Sequence, residues 1–265
     1  LMVNSESRTI NCMPLFHTGG WNILITPFLH HGGSICMVKH FDAATILQLL
    51  ELEKPTIFMG VPTILKMIVE EHNFTTTDFS SLDYLIVGGE SMPIWLIEEW
   101  HKKGVFIRQG YGLTEVGPNL TSLHQDDAIR KKGSIGQPNF YVSIKIVDKK
   151  GQEVPPNQPG ELLIKGPVVT PGYWQNPKAT AKAFENGWFH TGDMVKMDEE
   201  GYLYVVDRIK NMFISGGENV YPAEIERVLM THPNISEVAI ISIFDKKWGE
   251  AGKAFIVRNN DELKT

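Results

Sequence analysis

Cysteine is scarce in this chain, since only Cys12 and Cys36 occur among 265 residues. Their spacing matches no zinc-ligand pattern such as C-x-x-C, and a single disulfide would not form a stabilising scaffold at this length. The scarcity therefore argues against a structural zinc site and against a disulfide-rich secreted domain. A reducing, cytoplasmic setting is expected instead.

Long apolar runs and basic runs are also absent. Gly, Pro or charged residues interrupt the apolar segments well before the length of about 20 residues that a membrane helix needs. Residues 1–5 lack the charged and apolar regions of a signal peptide. A net charge of −6 without clustered Lys or Arg argues against a nucleic-acid surface. The 42% hydrophobic content predicts a globular protein with a sizeable core.

The first half of the chain has the pattern of parallel β-α-β units, because short apolar runs alternate with segments of helical period. We predict helices behind an Asp42 N-cap, at a first-turn proline and behind Ser91. The predicted strands are Ser34–Lys39, Thr56–Gly60, Tyr84–Val87 and Val105–Gln109, and the predicted helices are Ala43–Glu53, Pro62–His72 and Pro93–Lys103.

The second half is richer in short strands separated by Gly and Pro turns. Its predicted strands are Val142–Asp148, Glu161–Lys165 and Tyr202–Val206, followed by a helix from Pro222 and by strands Glu237–Phe244 and Lys253–Arg258. The predicted fold class is α/β. Its regions are a parallel-sheet α/β subdomain (1–132), a small β-barrel-like subdomain (133–207), a short connection (208–210) and a truncated α+β C-terminal domain (211–265).

The glycine-rich segment after the fourth predicted strand carries the densest set of candidate binding residues. Ligands of open α/β sheets bind at the carboxyl ends of strands. Gly110 and Gly112 permit close approach of a ligand, and Tyr111 offers a flat ring for a base. Thr114 offers a hydroxyl for a phosphate oxygen, and Glu115 is a hard oxygen ligand suited to Mg²⁺. A glycine-rich turn that leads into a capped helix explains the same residues.

Other candidates each have a plain structural alternative. Asp193 follows a small-residue turn and suits a ribose diol, but an Asp there is usually a turn former. Arg208 suits ribose or phosphate oxygens, although such a residue commonly lies in a solvated loop. His17 lies among apolar and small residues, where a buried structural histidine is common. The glycine pairs at 88–89 and 216–217 are equally compatible with tight turns.

The order and spacing of these segments resemble one known family. That family is the superfamily of adenylate-forming enzymes, which contains acyl-CoA synthetases, peptide-synthetase adenylation domains and luciferases. The resemblance covers nearly the whole chain and is closest to the acyl-CoA synthetase branch. The matching motifs are Pro14-Leu15-Phe16-His17, Val87-Gly88-Gly89-Glu90, Tyr111-Gly112-Leu113-Thr114-Glu115, Gly160-Glu161-Leu162, Gly187-Trp188-Phe189-His190-Thr191-Gly192-Asp193 and Asp207-Arg208-Ile209-Lys210 with Ser215-Gly216-Gly217-Glu218-Asn219.

The resemblance implies a reaction that uses ATP, Mg²⁺ and coenzyme A. A carboxylic acid is joined to AMP with release of pyrophosphate, and the acyl group then passes to the thiol of CoA. The resemblance assigns the phosphate contact to Thr114 and the Mg²⁺ ligand to Glu115. Tyr111 would stack on adenine in a cleft formed by Gly88, Gly89 and Glu90, while Gly110 and Gly112 would allow close approach of the nucleotide. Asp193 would bind the ribose hydroxyls, and Arg208 would reach ribose or phosphate.

The resemblance implies roles for three further residues. Lys210 matches the hinge about which the C-terminal domain rotates between the two half-reactions. Gly217 would line the passage of the pantetheine, and His17 would gate the acyl pocket beside the approach of the thiol. Two family elements are not found in the sequence, namely a Ser/Thr/Gly-rich phosphate loop and a C-terminal lysine motif. The chain is therefore expected to be part of a longer protein.

The substrate and acceptor remain open at this stage. The leading hypothesis is a CoA ligase for a fatty or aromatic acid, with Trp21, Ile23 and Leu24 hinting at an apolar acid. One alternative is an enzyme that loads a carrier protein, and another is that this chain alone only binds AMP or an acyl-adenylate. A nicotinamide dehydrogenase is set aside because no G-x-G-x-x-G motif with a distal acidic residue follows a strand. A homodimer stays open.

Overall fold

Two units of the chain are distinguished in the computed structural model, which describes residues 1–258. Unit 1 comprises residues 1–143 and 165–177, and unit 2 comprises residues 144–164 and the chain from 178 onward. Within the described residues, no helix combines the length and apolar character needed to cross a membrane. The predicted boundaries at 132, 207 and 210 stay a prediction, and residues 259–265 of the predicted C-terminal domain lie outside the described residues.

Unit 1 is built on a seven-stranded sheet with the order β2-β1-β3-β4-β5-β6-β7. The first five strands of this order are parallel, and the last two are added antiparallel. The strands are β1 (Arg8–Asn11), β2 (Ser34–Met37), β3 (Ile57–Gly60), β4 (Tyr84–Val87), β5 (Ile107–Leu113), β6 (Gly117–Ser122) and β7 (Gln137–Pro138). The helices are a π-helix (Gly19–Ile25), α1 (Thr26–His31), α2 (Ala43–Glu53), α3 (Pro62–Val69), a 3-10 helix (His72–Thr75), α4 (Ile94–Lys102) and a 3-10 helix (Gln125–Asp127).

Both faces of the central strands are buried. In β3, Phe58 packs into one core cluster together with side chains of α2, α3 and α4. Ile57 and Met59 point to the opposite face and pack with Leu24 and Phe28. Two-sided burial explains why these strands are continuous apolar runs rather than alternating ones. The predicted mixed α/β fold class is confirmed.

Of the two predicted N-cap residues, one is confirmed and the other is wrong. Asp42 caps α2 as predicted, because its Oδ2 accepts the backbone N–H of Thr45 at 2.8 Å. The prediction of Ser91 as a cap is wrong, since Pro93 occupies the cap position and α4 begins at Ile94. The extended ψ of 139° at Pro93 keeps the chain non-helical there, so Ser91 lies two residues too early.

Strand β5 is longer than predicted. It was expected to end near Gln109, but it continues to Leu113. The continuation forms because β6 folds back antiparallel and pairs Tyr111 with Thr121. The glycine-rich segment is therefore one arm of a hairpin, and no helix follows it. Helix α3, by contrast, is shorter than predicted. It ends at Val69 and not at His72, where a separate 3-10 helix begins.

Unit 2 contains two further sheets. The five-stranded sheet has the path β10-β11-β9-β8, with β12 also paired to β11, and the four-stranded sheet has the order β14-β13-β16-β15. The strands are β8 (Ser143–Val147), β9 (Gly160–Lys165), β10 (Phe184–Glu185), β11 (Trp188–Met197), β12 (Leu203–Arg208), β13 (Phe213–Ser215), β14 (Glu218–Val220), β15 (Ile235–Asp245) and β16 (Gly249–Arg258). The helices are α5 (Pro177–Ala183), a 3-10 helix (Ile209–Asn211) and α6 (Pro222–Leu229), whose predicted start at Pro222 is confirmed.

Asp207 connects the end of β12 to the start of α6. Its side chain is only 5% exposed, and Oδ2 accepts the Ala223 N–H at 2.9 Å. The other oxygen accepts from the Asn211 side chain at 3.1 Å. The first N–H groups of a helix have no partner within the helix, so a carboxylate from β12 takes the place of the usual cap residue. Arg227 adds a second tie through the Val206 carbonyl at 2.6 Å.

Replacing Asp207 by alanine should lower the free energy of unfolding by about 1–2 kcal/mol, because the Ala223 N–H at the start of α6 loses its acceptor. Urea unfolding followed by circular dichroism measures the change. Glu199→Ala is the matched control, since Glu199 is an exposed carboxylate of the same unit. Equal unfolding midpoints for the two variants would contradict the capping role.

Candidate active site

The glycine-rich segments of unit 1 meet at the carboxyl edge of its parallel strands. Gly88 directly follows β4, and the register pairs Val87 with Gln109. A Cβ atom on Gly88 would lie 3.3 Å from the carbonyl oxygen of Gly110. The structure thus brings together two segments that are 22 positions apart in sequence. This edge is where open α/β sheets bind ligands.

The hairpin of β5 and β6 requires a glycine at position 112. A Cβ there would lie 2.4 Å from the Gly117 carbonyl oxygen, which no side chain can occupy without moving the backbone. Thr114 and Glu115 are at the turn of this hairpin, and Thr114 is exposed. Glycine at 112 is therefore explained by chain packing before any ligand is considered, and the hairpin presents the Thr114 hydroxyl at its tip.

Glu115 is held by a loop that the sequence did not single out. The Tyr173 hydroxyl donates to Oε1 of Glu115 at 2.9 Å, and the Thr170 N–H donates to its backbone carbonyl at 2.7 Å. Desolvation, together with the adjacent Glu115 carboxylate, raises the pKa of Tyr173. Sequence reasoning missed Tyr173 because it is far from Glu115 in sequence and belongs to no recognised motif.

His17 is exposed, not buried as a structural histidine would be. Its Nδ1 accepts the N–H of Gly19 at 3.0 Å, which places the proton of the neutral ring on Nε2. The hydrogen bond closes the turn that leads into the π-helix. Among the neighbouring apolar residues, Ile23 and Leu24 are core side chains, whereas Trp21 stays 45% exposed.

Unit 2 carries a second cluster around Asp193. Asp193 was expected after a turn, but it lies inside β11, where the register pairs it with Arg208 of β12. Asp193 is 2% exposed, and its Oδ1 lies 2.7 Å from Nε of Arg208. A buried carboxylate needs such a partner, since an isolated buried charge is costly. Asp193, predicted to bind the ribose hydroxyls, and Arg208, predicted to reach ribose or phosphate, are therefore in direct contact.

The remaining predicted residues of unit 2 are exposed. Lys210 lies in the 3-10 helix that follows β12. Gly217 lies in the turn between β13 and β14 with a φ of +91°, and a Cβ there would meet nothing within 4 Å. Backbone conformation, not crowding, accounts for glycine at 217 in this structure.

Comparison with known proteins extends these observations. The model of a family described as AMP-binding enzyme matches residues 2–174, and that of its C-terminal domain matches residues 224–265. Feruloyl-CoA synthase of an Amycolatopsis species is 39% identical over 96% of this chain and 52% of its own length. The 2-succinylbenzoate–CoA ligase of Bacillus mycoides is 40% identical over 98% of this chain and 54% of its own length. The chain thus spans about half the length of the curated relatives it matches.

Solved structures of CoA synthetases also match this chain. The o-succinylbenzoate CoA synthetase of Bacillus subtilis, in complex with the acyl-adenylate intermediate OSB-AMP, superposes with a TM-score of 0.89 at 34% identity. The match covers 98% of this chain and 53% of that one. The same enzyme in complex with ATP and magnesium ion gives a TM-score of 0.88.

The fold is therefore that of adenylate-forming enzymes. The chain belongs to the AMP-binding enzyme family. This result confirms the family predicted from the ordered motifs, including the resemblance to CoA ligases.

The Glu115–Tyr173 contact can be tested by titration. Glu115→Gln should lower the pKa of Tyr173 toward its ordinary value, because the nearby negative charge is removed. NMR of ring-labelled tyrosine, with Tyr173→Phe for assignment, measures the shift. Glu90→Gln serves as the control, since it removes an exposed carboxylate of the same unit. An unchanged Tyr173 titration in Glu115→Gln would contradict the contact.

Proposed function

We propose that the protein containing this chain is an ATP-dependent ligase that joins an aromatic carboxylic acid to coenzyme A through an acyl-adenylate. The main support is the 39–40% identity to enzymes named as CoA ligases, over 96–98% of this chain. Both enzymes are named for acids with an aromatic ring, which favours an aromatic over a fatty acid. The half-exposed Trp21 is consistent with a flat apolar substrate.

The nucleotide base and ribose are assigned to separate clusters. In unit 1, Tyr111 would stack on adenine, residues 88–90 would form the cleft for the base, and Gly110 and Gly112 would let the nucleotide approach the backbone closely. In unit 2, Asp193 would accept hydrogen bonds from the two ribose hydroxyls. Its contact with Arg208 supports this role, because the 2.7 Å ion pair holds the carboxylate in one orientation before the ligand arrives.

The phosphates are assigned to the tip of the hairpin. The exposed Thr114 hydroxyl would donate to a phosphate oxygen. Glu115 fits a Mg²⁺ ion that is held mainly by phosphate oxygens, since such sites use only one or two protein carboxylates. Bound Mg²⁺ would neutralise charge that develops on the phosphates.

The proposed reaction has two steps. A carboxylate oxygen of the acid attacks the α-phosphorus of ATP, and the bond to pyrophosphate breaks. The CoA sulfur then attacks the acyl carbon, AMP leaves with the bridging oxygen, and the thiol proton passes to solvent. Lys210 is proposed as the hinge between the steps, Gly217 as part of the pantetheine passage and His17 as a gate at the acyl pocket.

A narrower proposal concerns this chain alone, namely that it binds AMP. The observation that favours it is the Asp193–Arg208 pair, which is complete within unit 2. A cytoplasmic location is proposed for the whole protein. Loading of a carrier protein instead of CoA remains the competing outcome of the assay described next.

The complete gene product should form acyl-CoA and AMP from ATP, Mg²⁺, CoA and an aromatic acid such as ferulate or 2-succinylbenzoate. Chromatography of the thioester and of AMP measures both products, and palmitate serves as the fatty-acid comparison. Formation of acyl-CoA from palmitate but from neither aromatic acid would overturn the assignment of an aromatic substrate. In a parallel reaction with a candidate carrier protein added, acylation of that protein without formation of acyl-CoA would overturn the assignment of CoA as the acceptor.

Lys210→Pro should slow thioester formation, because proline fixes φ at the proposed hinge. The rate at which labelled pyrophosphate exchanges into ATP should stay within about twofold of the wild-type rate. Lys210→Ala is the matched control, since it loses the same side chain and keeps a free backbone. Equal rates of thioester formation in the two variants would contradict the role of Lys210 as a hinge. Stopped assays of each half-reaction give both rates.

A further inference from the structure

The segment that carries Asp193 is a large bulge in β11. Between the pairs His190↔Leu163 and Met194↔Glu161, β11 advances four residues while β9 advances two. Residues 191–193 therefore lie opposite a single residue of β9. Gly192 at the centre has a φ of +70°, a conformation that suits glycine. A bulge re-aims side chains and interrupts the ladder of backbone hydrogen bonds.

Side-chain oxygens replace the interrupted ladder. The N–H of Gly192 donates to Oε1 of Glu161 at 3.1 Å. The N–H of Asp193 donates to Oγ1 of Thr191 at 3.0 Å, and that hydroxyl donates to the Leu162 carbonyl at 2.8 Å. Backbone groups that lose their ladder partner need such replacements when they are buried. The shape of the bulge therefore depends on two side chains.

Glu161 holds the bulge at two points. While Oε1 accepts from Gly192, Oε2 lies 3.0 Å from Nδ1 of His190, the residue just before the bulge. Nε2 of His190 lies 3.6 Å from the exposed Glu185 carboxylate on the other side of the ring. The Glu161 side chain is 21% exposed, so water screens these contacts only partly. Glu161 belongs to the motif Gly160-Glu161-Leu162, to which the proposed reaction assigns no role.

We propose that Glu161 is a positioning residue for the nucleotide ribose: its carboxylate fixes the β11 bulge and thereby sets the orientation of Asp193. The inference rests on the proposed function, because it takes Asp193 as the ligand of the ribose hydroxyls. Arg208 orients the Asp193 side chain from β12, and Glu161 holds the N–H of the preceding Gly192 from β9. Asp193 is thus held from both neighbouring strands.

The test compares AMP with dideoxy-AMP, which lacks both ribose hydroxyls. Calorimetry on the complete gene product gives the affinity ratio of the two nucleotides for the wild type and for Glu161→Ala, Glu161→Gln, Asp193→Ala and the control Glu199→Ala. The affinity ratio isolates the ribose contact, because a general loss of folding weakens the binding of both nucleotides equally. Binding of dideoxy-AMP also shows that a variant is folded.

The wild type and Glu199→Ala should prefer AMP by about tenfold or more, as expected for hydrogen bonds to a charged group. Asp193→Ala and Glu161→Ala should lose most of this preference while binding dideoxy-AMP as the wild type does. Glu161→Gln should retain most of it, because the amide oxygen still accepts the Gly192 N–H.

Four results would overturn the inference, and each points to a different cause. A full AMP preference in Glu161→Ala, with wild-type affinity for both nucleotides, refutes the positioning role alone. An equal loss for both nucleotides in Glu161→Ala, with no rescue by Glu161→Gln, assigns Glu161 a purely structural role. A wild type that binds AMP without preference removes the role of Asp193 and with it the inference, whereas a wild type that binds neither nucleotide overturns the proposed function itself.

Discussion

Burial of the parallel sheet on both faces is the constraint on which unit 1 depends. Strands β3 and β4 send alternate side chains into two separate core clusters. No position along these strands is left for a polar ligand-binding side chain, since a buried polar group without a partner is costly. Chemistry is therefore confined to the segments that leave the carboxyl edge, and the glycines at 88 and 110 meet there.

Unit 2 solves a different problem, because Asp193 and Arg208 lie within antiparallel strands. A carboxylate inside a strand can be buried and still oriented if the strand is locally irregular. The bulge at Gly192 provides the irregularity, and Glu161 and Thr191 supply the missing acceptors. Asp207 works in the same way at the start of α6. In each case, a side-chain oxygen takes the place of a backbone partner.

Local patterns were sufficient for much of the fold. The apolar runs of β3 and β4, the Asp42 cap and the helix start at Pro222 depend on neighbouring residues, and all were predicted. The errors occur where a distant partner decides. Gln109 does not end β5 because β6 returns to pair with the continuing strand, and Asp193 is not in a turn because β12 pairs across it.

The sequence by itself determined the family and the residue types of the site, because ordered short motifs are a property of the chain alone. It also determined the two-sided burial of the sheet, since the burial is visible in continuous apolar runs. Only the tertiary structure decided which groups hold those residues: Tyr173 on Glu115, Arg208 on Asp193 and Glu161 on the bulge. The physical reason is that these contacts join segments 15 to 58 residues apart, and no local pattern records a partner at that distance.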